Sequence, residues 1–152
     1  MPKRFPLQSL LDLAQQHTDT AAKNLQLLKA QWNEAEEKLQ QLLHYQKEYR
    51  ERLQQSAGTG VNIAVMRDYQ VFLAKIELAI GQQGEEVERC RQSWEAGQQA
   101  WHIQKRKLGA FDVLAKRHRH GELHRESRQE QREQDEFAAK SPQSKTFREE
   151  DE

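Results

Sequence analysis

The sequence predicts an all-α protein: a long antiparallel two-helix coiled coil, or rod-like α-hairpin, with a polar, partly disordered C-terminal tail. Of the 152 residues, 36% are hydrophobic and 32% are charged, which is too polar for a thick globular core. No proline occurs between Pro6 and Pro142, and the absence of proline favours long helices. Apolar residues recur at alternating spacings of three and four, the heptad pattern of paired helices.

The first helix is expected over residues 7–55, because Pro6 suits a first helical turn and an apolar stripe follows it. We call this stripe the first seam. It consists of Leu7, Leu11, Ala14, Thr18, Ala21, Leu25, Leu28, Trp32, Ala35, Leu39, Leu42, Gln46, Tyr49 and Leu53. A turn is predicted at residues 56–61, where Gly58 and Gly60 flank Thr59 and can reverse the chain.

The second helix is expected over residues 62–115, with Asn62 or Thr59 as its N-cap. Its stripe, the second seam, has nearly the same length as the first. It consists of Met66, Tyr69, Leu73, Ile76, Ile80, Gln83, Val87, Cys90, Trp94, Gly97, Trp101, Gln104, Leu108, Phe111 and Ala115. A short turn makes neighbouring helices antiparallel, so the two seams are expected to pack together.

The register of this pairing stays open at the level of sequence, because a shift by one heptad keeps both seams facing each other. Trp101 pairs with Ala21 in one register and with Ala14 in the other, and both set a bulky residue against a small one. Trp32, Trp94 and Trp101 all fall on the seams and are interpreted as structural.

After Ala115 the seam is lost, so residues 1–115 are predicted to form the hairpin and residues 116–152 a polar extension. Residues 116–140 keep helical propensity and are expected to continue as a solvated helix. The last dozen residues contain Pro142 and are expected to fray.

Apolar residues that the hairpin cannot bury cluster near the turn. In the heptad frame Tyr45 and Phe72 fall at g positions, which share one edge of an antiparallel pair, and Ala79 extends that edge. Val71 and Leu78 fall at outward f positions. Such clustering indicates a protein-binding patch. The alternative is that large side chains merely broaden the seam.

These same residues carry a resemblance to a known family. The segments AEEKLQQLLHYQKEYRERL and RDYQVFLAKIELAI, separated by the glycine-containing turn, resemble FliJ, a coiled-coil component of the bacterial flagellar export apparatus. The opening LQSLLDLA and the later EFAAK are also similar. The resemblance implies a cytoplasmic stalk that links the hexameric export ATPase to the cytoplasmic domain of the export gate. It also implies binding to export chaperones, and association with the membrane only through such partners.

The resemblance also implies two sets of contact residues. The gate-binding set consists of Leu42, Tyr45, Tyr49, Phe72, Ile76 and Ala79. Within a basic run on the second helix, the expected contacts to the ATPase ring are Lys105, Arg106, Lys107 and Arg117. A solvated helical face is the alternative interpretation of that run. Which end of the hairpin enters the ring is open.

The heptad periodicity alone fits two alternatives equally well: a generic coiled-coil adaptor or chaperone, and the stalk protein of a virulence type III secretion system. Functions of other classes fit the sequence less well. Nucleic-acid binding is not expected, because Lys plus Arg and Asp plus Glu both total 24 and acidic residues interleave with the basic run. No membrane-spanning or signal segment is expected, because no apolar run is long enough.

Catalysis, cofactors and metals are likewise not expected. A two-helix structure has no enclosed pocket, and the sequence contains neither a phosphate-binding loop nor a nucleophile motif. Among His118, His120 and His124, only the last two have the i, i+4 spacing of ligands on one helix face. Cys90 is the single cysteine and occupies a seam position, so its thiol is expected to be inert.

Overall fold

The protein folds into two long helices packed against each other, as predicted. A computed structural model describes residues 3–60 and 62–140. Helix α1 spans Gln8–Gly58 and helix α2 spans Ile63–Lys140, and no strand occurs within the described residues. The all-α prediction is therefore confirmed.

The two candidate caps have separate roles at the turn. Asn62 caps α2, since its Oδ1 accepts a hydrogen bond from the Ala64 amide at 3.3 Å. Thr59 instead closes α1, because its hydroxyl donates to the carbonyls of Gln55 and Ser56. Gly60 has a φ of 76°, the left-handed conformation that favours glycine.

Helix α1 extends further than the sequence predicted, and α2 continues beyond the end of the second seam as expected. Helix α1 continues through Ser56 to Gly58, because its last carbonyls find a partner in the Thr59 side chain. Helix α2 does not end at Ala115 but continues to Lys140. The predicted frayed segment around Pro142 lies outside the described residues.

The chain divides into two compact units. One unit is formed by His17–Lys105, and the other by the chain up to Gln16 together with the chain from Arg106 onward. Every residue of the first and second seams is buried or half-buried, which confirms both predicted stripes. Ala35 and Ile76 are among the most buried residues of the first unit, and Ala14 and Ala115 among those of the second.

Side-chain contacts in the His17–Lys105 unit decide the register. The rings of Trp32 and Trp94 lie 5.4 Å apart, centroid to centroid. A Cβ built on Gly97 would lie 3.6 Å from Leu25 Cδ1. Trp101 follows Gly97 by one helical turn, and Ala21 precedes Leu25 by one turn. An antiparallel pair therefore sets Trp101 beside Ala21, not Ala14.

Helix α2 is still partly covered just beyond Ala115. His118 Nε2 donates a hydrogen bond to the Lys3 carbonyl at 2.8 Å, and the His118 ring lies 5.4 Å from the Phe5 ring. His118, Glu122 and Glu126 are half-buried. The prediction that the helix is fully solvated after Ala115 is therefore wrong over this stretch, because the chain before α1 lies against it.

Candidate partner-binding surfaces

The predicted gate-binding residues differ in how far they reach the surface. Tyr45 is 50% exposed and Phe72 is 42% exposed, whereas Ile76 is only 6% exposed. Leu42, Tyr49 and Ala79 are half-buried. A partner can therefore contact Tyr45 and Phe72 directly, whereas Ile76 is buried within the seam.

An aromatic cluster holds this surface in place. The Tyr49 ring lies 4.4 Å from the Phe72 ring and 6.2 Å from the Tyr69 ring, with tilted planes in both cases. These are favourable geometries for aromatic pairs. The guanidinium of Arg52 lies 5.3 Å from the centre of the Tyr49 ring. Phe72 is thus fixed on a partly buried aromatic base, which lowers the entropy that it loses when a partner binds.

The outward apolar positions near the turn are exposed, as the heptad frame predicted. Val71 is 50% exposed and Leu78 is 66% exposed. With Tyr45 and Phe72 they form what we call the turn patch, a set of four exposed apolar side chains in the His17–Lys105 unit. An exposed apolar cluster of this kind is typical of a protein-binding surface.

The basic residues expected to contact the ATPase are all exposed on α2: Lys105, Arg106, Lys107 and Arg117. Lys105 Nζ lies 4.8 Å from the centre of the Trp101 ring, so its aliphatic stem follows the edge of the seam. Lys116, in the same run, lies 3.5 Å from the Asp112 carboxylate. Lys105 belongs to the His17–Lys105 unit and the other three residues to the second unit, and each exposes a cationic group that an acidic partner can reach.

Comparison with known proteins identifies the family. A family model described as "Flagellar FliJ protein" matches residues 2–146. The "Flagellar FliJ protein" of Salmonella typhi is 32% identical over 141 residues, which cover 93% of this chain and 96% of the relative. The protein of the same name from Escherichia coli (strain K12) is 30% identical over the same shares of the two chains.

This chain belongs to the flagellar FliJ family. It is therefore a component of the flagellar export apparatus, acting in flagellum biogenesis, protein export and motility. The family is a non-catalytic part of that apparatus. The heptad periodicity alone could not distinguish a flagellar protein from a generic adaptor or a virulence-system stalk, and these relatives support the flagellar assignment.

The FliJ-family chain also contains an interhelix hydrogen bond that sequence reasoning missed. Gln83 Nε2 donates to the Ala35 carbonyl at 2.9 Å and so joins α2 to α1. A polar residue on an apolar seam was the available signal, since such residues specify the register of coiled coils.

Cys90 lines the same surface groove as Gln83 and Ala35, the two residues that this hydrogen bond joins. Its thiol is half-buried and donates a hydrogen bond to Glu86 Oε1 at 3.6 Å. Burial raises the pKa of the Cys90 thiol above its usual value, and the Glu86 carboxylate raises it further. A thiol with a raised pKa is a poor nucleophile at neutral pH.

One of the α2 histidines has partners within its own unit. His118 is engaged with Lys3 and Phe5, as described above. Within residues 3–60 and 62–140, no group of three or more histidine, cysteine, aspartate or glutamate side chains is placed to hold a metal ion. In the same part of the chain, neither helix has a stretch long and apolar enough to cross a membrane.

Proposed function

We propose that this FliJ-family chain is a stalk-like link between the hexameric flagellar export ATPase and the cytoplasmic domain of the export gate, and that it also binds export chaperones. Family membership supports a role in export, and the exposed turn patch supports direct contact with a partner protein. In this proposal the chain associates with the inner-membrane apparatus only through its partners.

The turn patch is the observation that carries the gate contact. Tyr45 and Phe72 are large and exposed, and Phe72 lies against the Tyr49 ring, which are the properties of residues that dominate binding energy at interfaces. The half-buried Leu42 and Ala79 complete the contact at its border. Ile76 is buried in the second seam, so its part in the contact is indirect.

The exposed basic residues of α2 carry the contact to the ATPase. Lys105, Arg106, Lys107 and Arg117 attract an acidic surface, and exposed charges of this kind mainly accelerate association. A chain that contacts both assemblies couples ATP hydrolysis to gate opening only if its contacts differ between their functional states.

The gate contact is tested by replacing Tyr45 and Phe72 with alanine and titrating the purified gate domain. We expect a loss of affinity of roughly tenfold or more with unchanged helicity, because both side chains face solvent. Leu27→Ala is the matched control: Leu27 is 64% exposed in the same unit but lies outside the turn patch. Equal binding by the double variant and the control would refute the gate assignment.

The ATPase contact is tested by reversing charges at Lys107 and Arg117. We expect Lys107→Glu with Arg117→Glu to weaken binding to the purified ATPase, and we expect the difference from the wild type to shrink as salt concentration rises. Lys23→Glu with Arg50→Glu, at two exposed positions on α1, makes the same change in net charge and is the control. If the control weakens binding as much as the double variant, the basic run is a solvated face.

A further inference from the structure

The two seams pair in layers between Leu25 and the turn. Leu25 lies beside Gly97. In an antiparallel pair, each heptad toward the turn moves the contact seven residues forward in α1 and seven residues backward in α2. Two heptads therefore place Leu39 opposite Gln83, whose amide reaches the Ala35 carbonyl one helical turn away. This hydrogen bond and the contact at Gly97 thus agree on a single register.

Polar groups on these layers are poorly matched in that register. Gln83 faces a leucine, and in the next layer the half-buried Gln46 lies opposite the buried Ile76. The indole N–H of Trp32 is buried, and no hydrogen-bond acceptor reaches it within the described residues. A buried donor without an acceptor is destabilising. The observed register therefore leaves polar seam groups of the hairpin without matched partners.

A shift of one heptad supplies these partners. If α2 moves by one heptad toward the N-terminus of α1, Gln83 comes opposite Trp32, and its side-chain oxygen can accept the indole N–H. The same movement sets Gln46 opposite Tyr69, whose hydroxyl can bond to the amide. Other layers stay apolar or set a bulky side chain against a small one: Leu28 with Val87, Leu39 with Ile76, and Trp94 with Ala21.

The position of the glycines favours this direction of shift. The observed turn consists of residues 59–62, between α1 and α2. The shift moves the turn to about residues 56–59, where Gly58 and the neighbouring Gly60 supply backbone freedom. A shift in the opposite direction would centre the turn on residues 63–65, where two of the three residues are β-branched and none is glycine.

We propose that α1 and α2 exchange between two registers, the observed one and a less populated one shifted by one heptad, and that this exchange controls the turn patch. Because each helical residue rises about 1.5 Å, the shift displaces α2 along α1 by roughly 10 Å. Phe72 leaves the Tyr49 ring, which lies 4.4 Å away in the observed register, and comes level with Tyr45 on the shared edge. The two exposed aromatic residues of the turn patch then cover each other instead of facing a partner.

Contributions of the same kind stabilise the two registers. The observed one has the hydrogen bond from Gln83 to Ala35 and the rings of Trp32 and Trp94 5.4 Å apart. The shifted one exchanges them for two hydrogen bonds between seam side chains. A protein that binds only one arrangement of the turn patch therefore shifts the equilibrium between the registers. The two registers do not depend on the proposed function, whereas control of the gate contact rests on it.

The test is disulfide trapping of the full-length chain in a Cys90→Ala background. Gln31, Lys38 and Glu86 line one surface groove that both helices form. In the observed register Lys38 lies nearly level with Glu86, and in the shifted register Gln31, one heptad away, takes that place. We call Lys38→Cys with Glu86→Cys the observed pair, and Gln31→Cys with Glu86→Cys the shifted pair.

The observed pair is expected to cross-link fastest, and the shifted pair roughly tenfold or more faster than a control pair. The control is Asn24→Cys with Glu86→Cys, because Asn24 lies on the same edge of α1 but is level with Glu86 in neither register. Efficient cross-linking of the observed pair also shows that the cysteine variants fold.

Conservative substitutions test the hydrogen bonds of the shifted register. Trp32→Phe removes the indole N–H, and Tyr69→Phe removes the seam hydroxyl. Each is expected to slow cross-linking of the shifted pair roughly threefold to tenfold, the effect of losing one hydrogen bond, and to leave the observed pair unchanged. Tyr45→Phe is the matched control, because it removes an exposed hydroxyl outside the seams.

Two outcomes overturn the two registers. One is a shifted pair that cross-links no faster than the Asn24 control. The other is a shifted pair that neither Trp32→Phe nor Tyr69→Phe slows more than Tyr45→Phe does, since its cross-link would then not depend on the shifted hydrogen bonds.

The trapped proteins test control of the gate contact. The trapped observed pair is expected to bind the purified gate domain like the wild type, and the trapped shifted pair roughly tenfold or more weakly. Equal binding by the two trapped forms overturns control of the turn patch. If neither the wild type nor a trapped form binds the gate domain, the proposed function is contradicted and control of the gate contact falls with it, while the cross-linking rates still decide the registers.

Discussion

Gly97 offers a sharp test of the packing between α1 and α2. A Cβ added there would lie 2.5 Å from Leu28 Cδ1, closer than carbon atoms approach without rearrangement. Gly81 lies in the same helix and the same unit, and a Cβ added there would meet nothing within 4 Å. We therefore expect alanine to have different effects at these two glycines, although the helical conformation at both is the same.

The expected changes in the free energy of unfolding follow from two opposing contributions, helix propensity and overpacking. Glycine in a helix interior costs about 1 kcal/mol relative to alanine, so Gly81→Ala should raise the free energy of unfolding by about that amount. At Gly97 the same gain is opposed by overpacking against Leu28, which costs about 1 to 3 kcal/mol. Gly97→Ala should therefore be neutral to destabilising by about 2 kcal/mol, and less stable than Gly81→Ala by about 1 to 3 kcal/mol.

The assay is denaturant unfolding followed by far-ultraviolet circular dichroism, with both variants measured beside the wild type. A double-mutant cycle separates the two terms. In a Leu28→Ala background the clash is absent, so Gly97→Ala should then stabilise the protein as Gly81→Ala does. The reasoning is refuted if Gly97→Ala stabilises the wild-type background as much as Gly81→Ala, since this result would show that α1 does not approach Gly97 closely.

Three further predictions concern other seam residues. Ile76→Ala should lower the free energy of unfolding by about 2 kcal/mol or more, because Ile76 is 6% exposed, and denaturant unfolding would contradict its burial if the loss were below that of an exposed control such as Leu78→Ala. Gln83→Leu should raise the free energy of unfolding by up to about 1 kcal/mol, but it should also permit a pairing of α1 and α2 shifted by one heptad, because the hydrogen bond to Ala35 is lost. If spin-label distances between α1 and α2 in this variant still show a single population, Gln83 does not specify the register. Because the pKa of the Cys90 thiol is raised in the folded protein, its contribution to the free energy of unfolding is present below the ordinary thiol pKa and is lost as pH rises through the raised value. At neutral pH, Cys90 in the folded protein should be alkylated more slowly than in an unfolded reference, and equal rates would contradict the raised pKa.

Part of the turn patch could be predicted from the sequence. The heptad frame assigns Tyr45 and Phe72 to an edge and Val71 and Leu78 to the outside, and all four are exposed. The frame is reliable there because exposure follows from the angular position on a helix, which depends only on the spacing from the seam. The aromatic contacts of Tyr49 could not be predicted in this way, because they depend on which residue of the other helix lies opposite.

The sequence could not predict how far α2 is covered beyond Ala115. His118 and Glu122 are polar and break the apolar pattern, so periodicity indicates solvent at both positions. The structure partly buries His118 because the Lys3 carbonyl and the Phe5 ring lie against it, and Glu122 lines a groove together with Lys3. A polar side chain that binds a backbone carbonyl carries no periodic signal.

By itself the sequence determined the all-α class, the two helices, the turn between them and both complete seams. These features follow from propensity and from the heptad period, which are properties of residues near one another in the chain. Only the tertiary structure decided the register, the hydrogen bond from Gln83 to Ala35 and the close approach at Gly97. The heptad repeats identically along each helix, so a shifted pairing keeps the seams together; the choice depends on which particular side chains fit against each other across the interface.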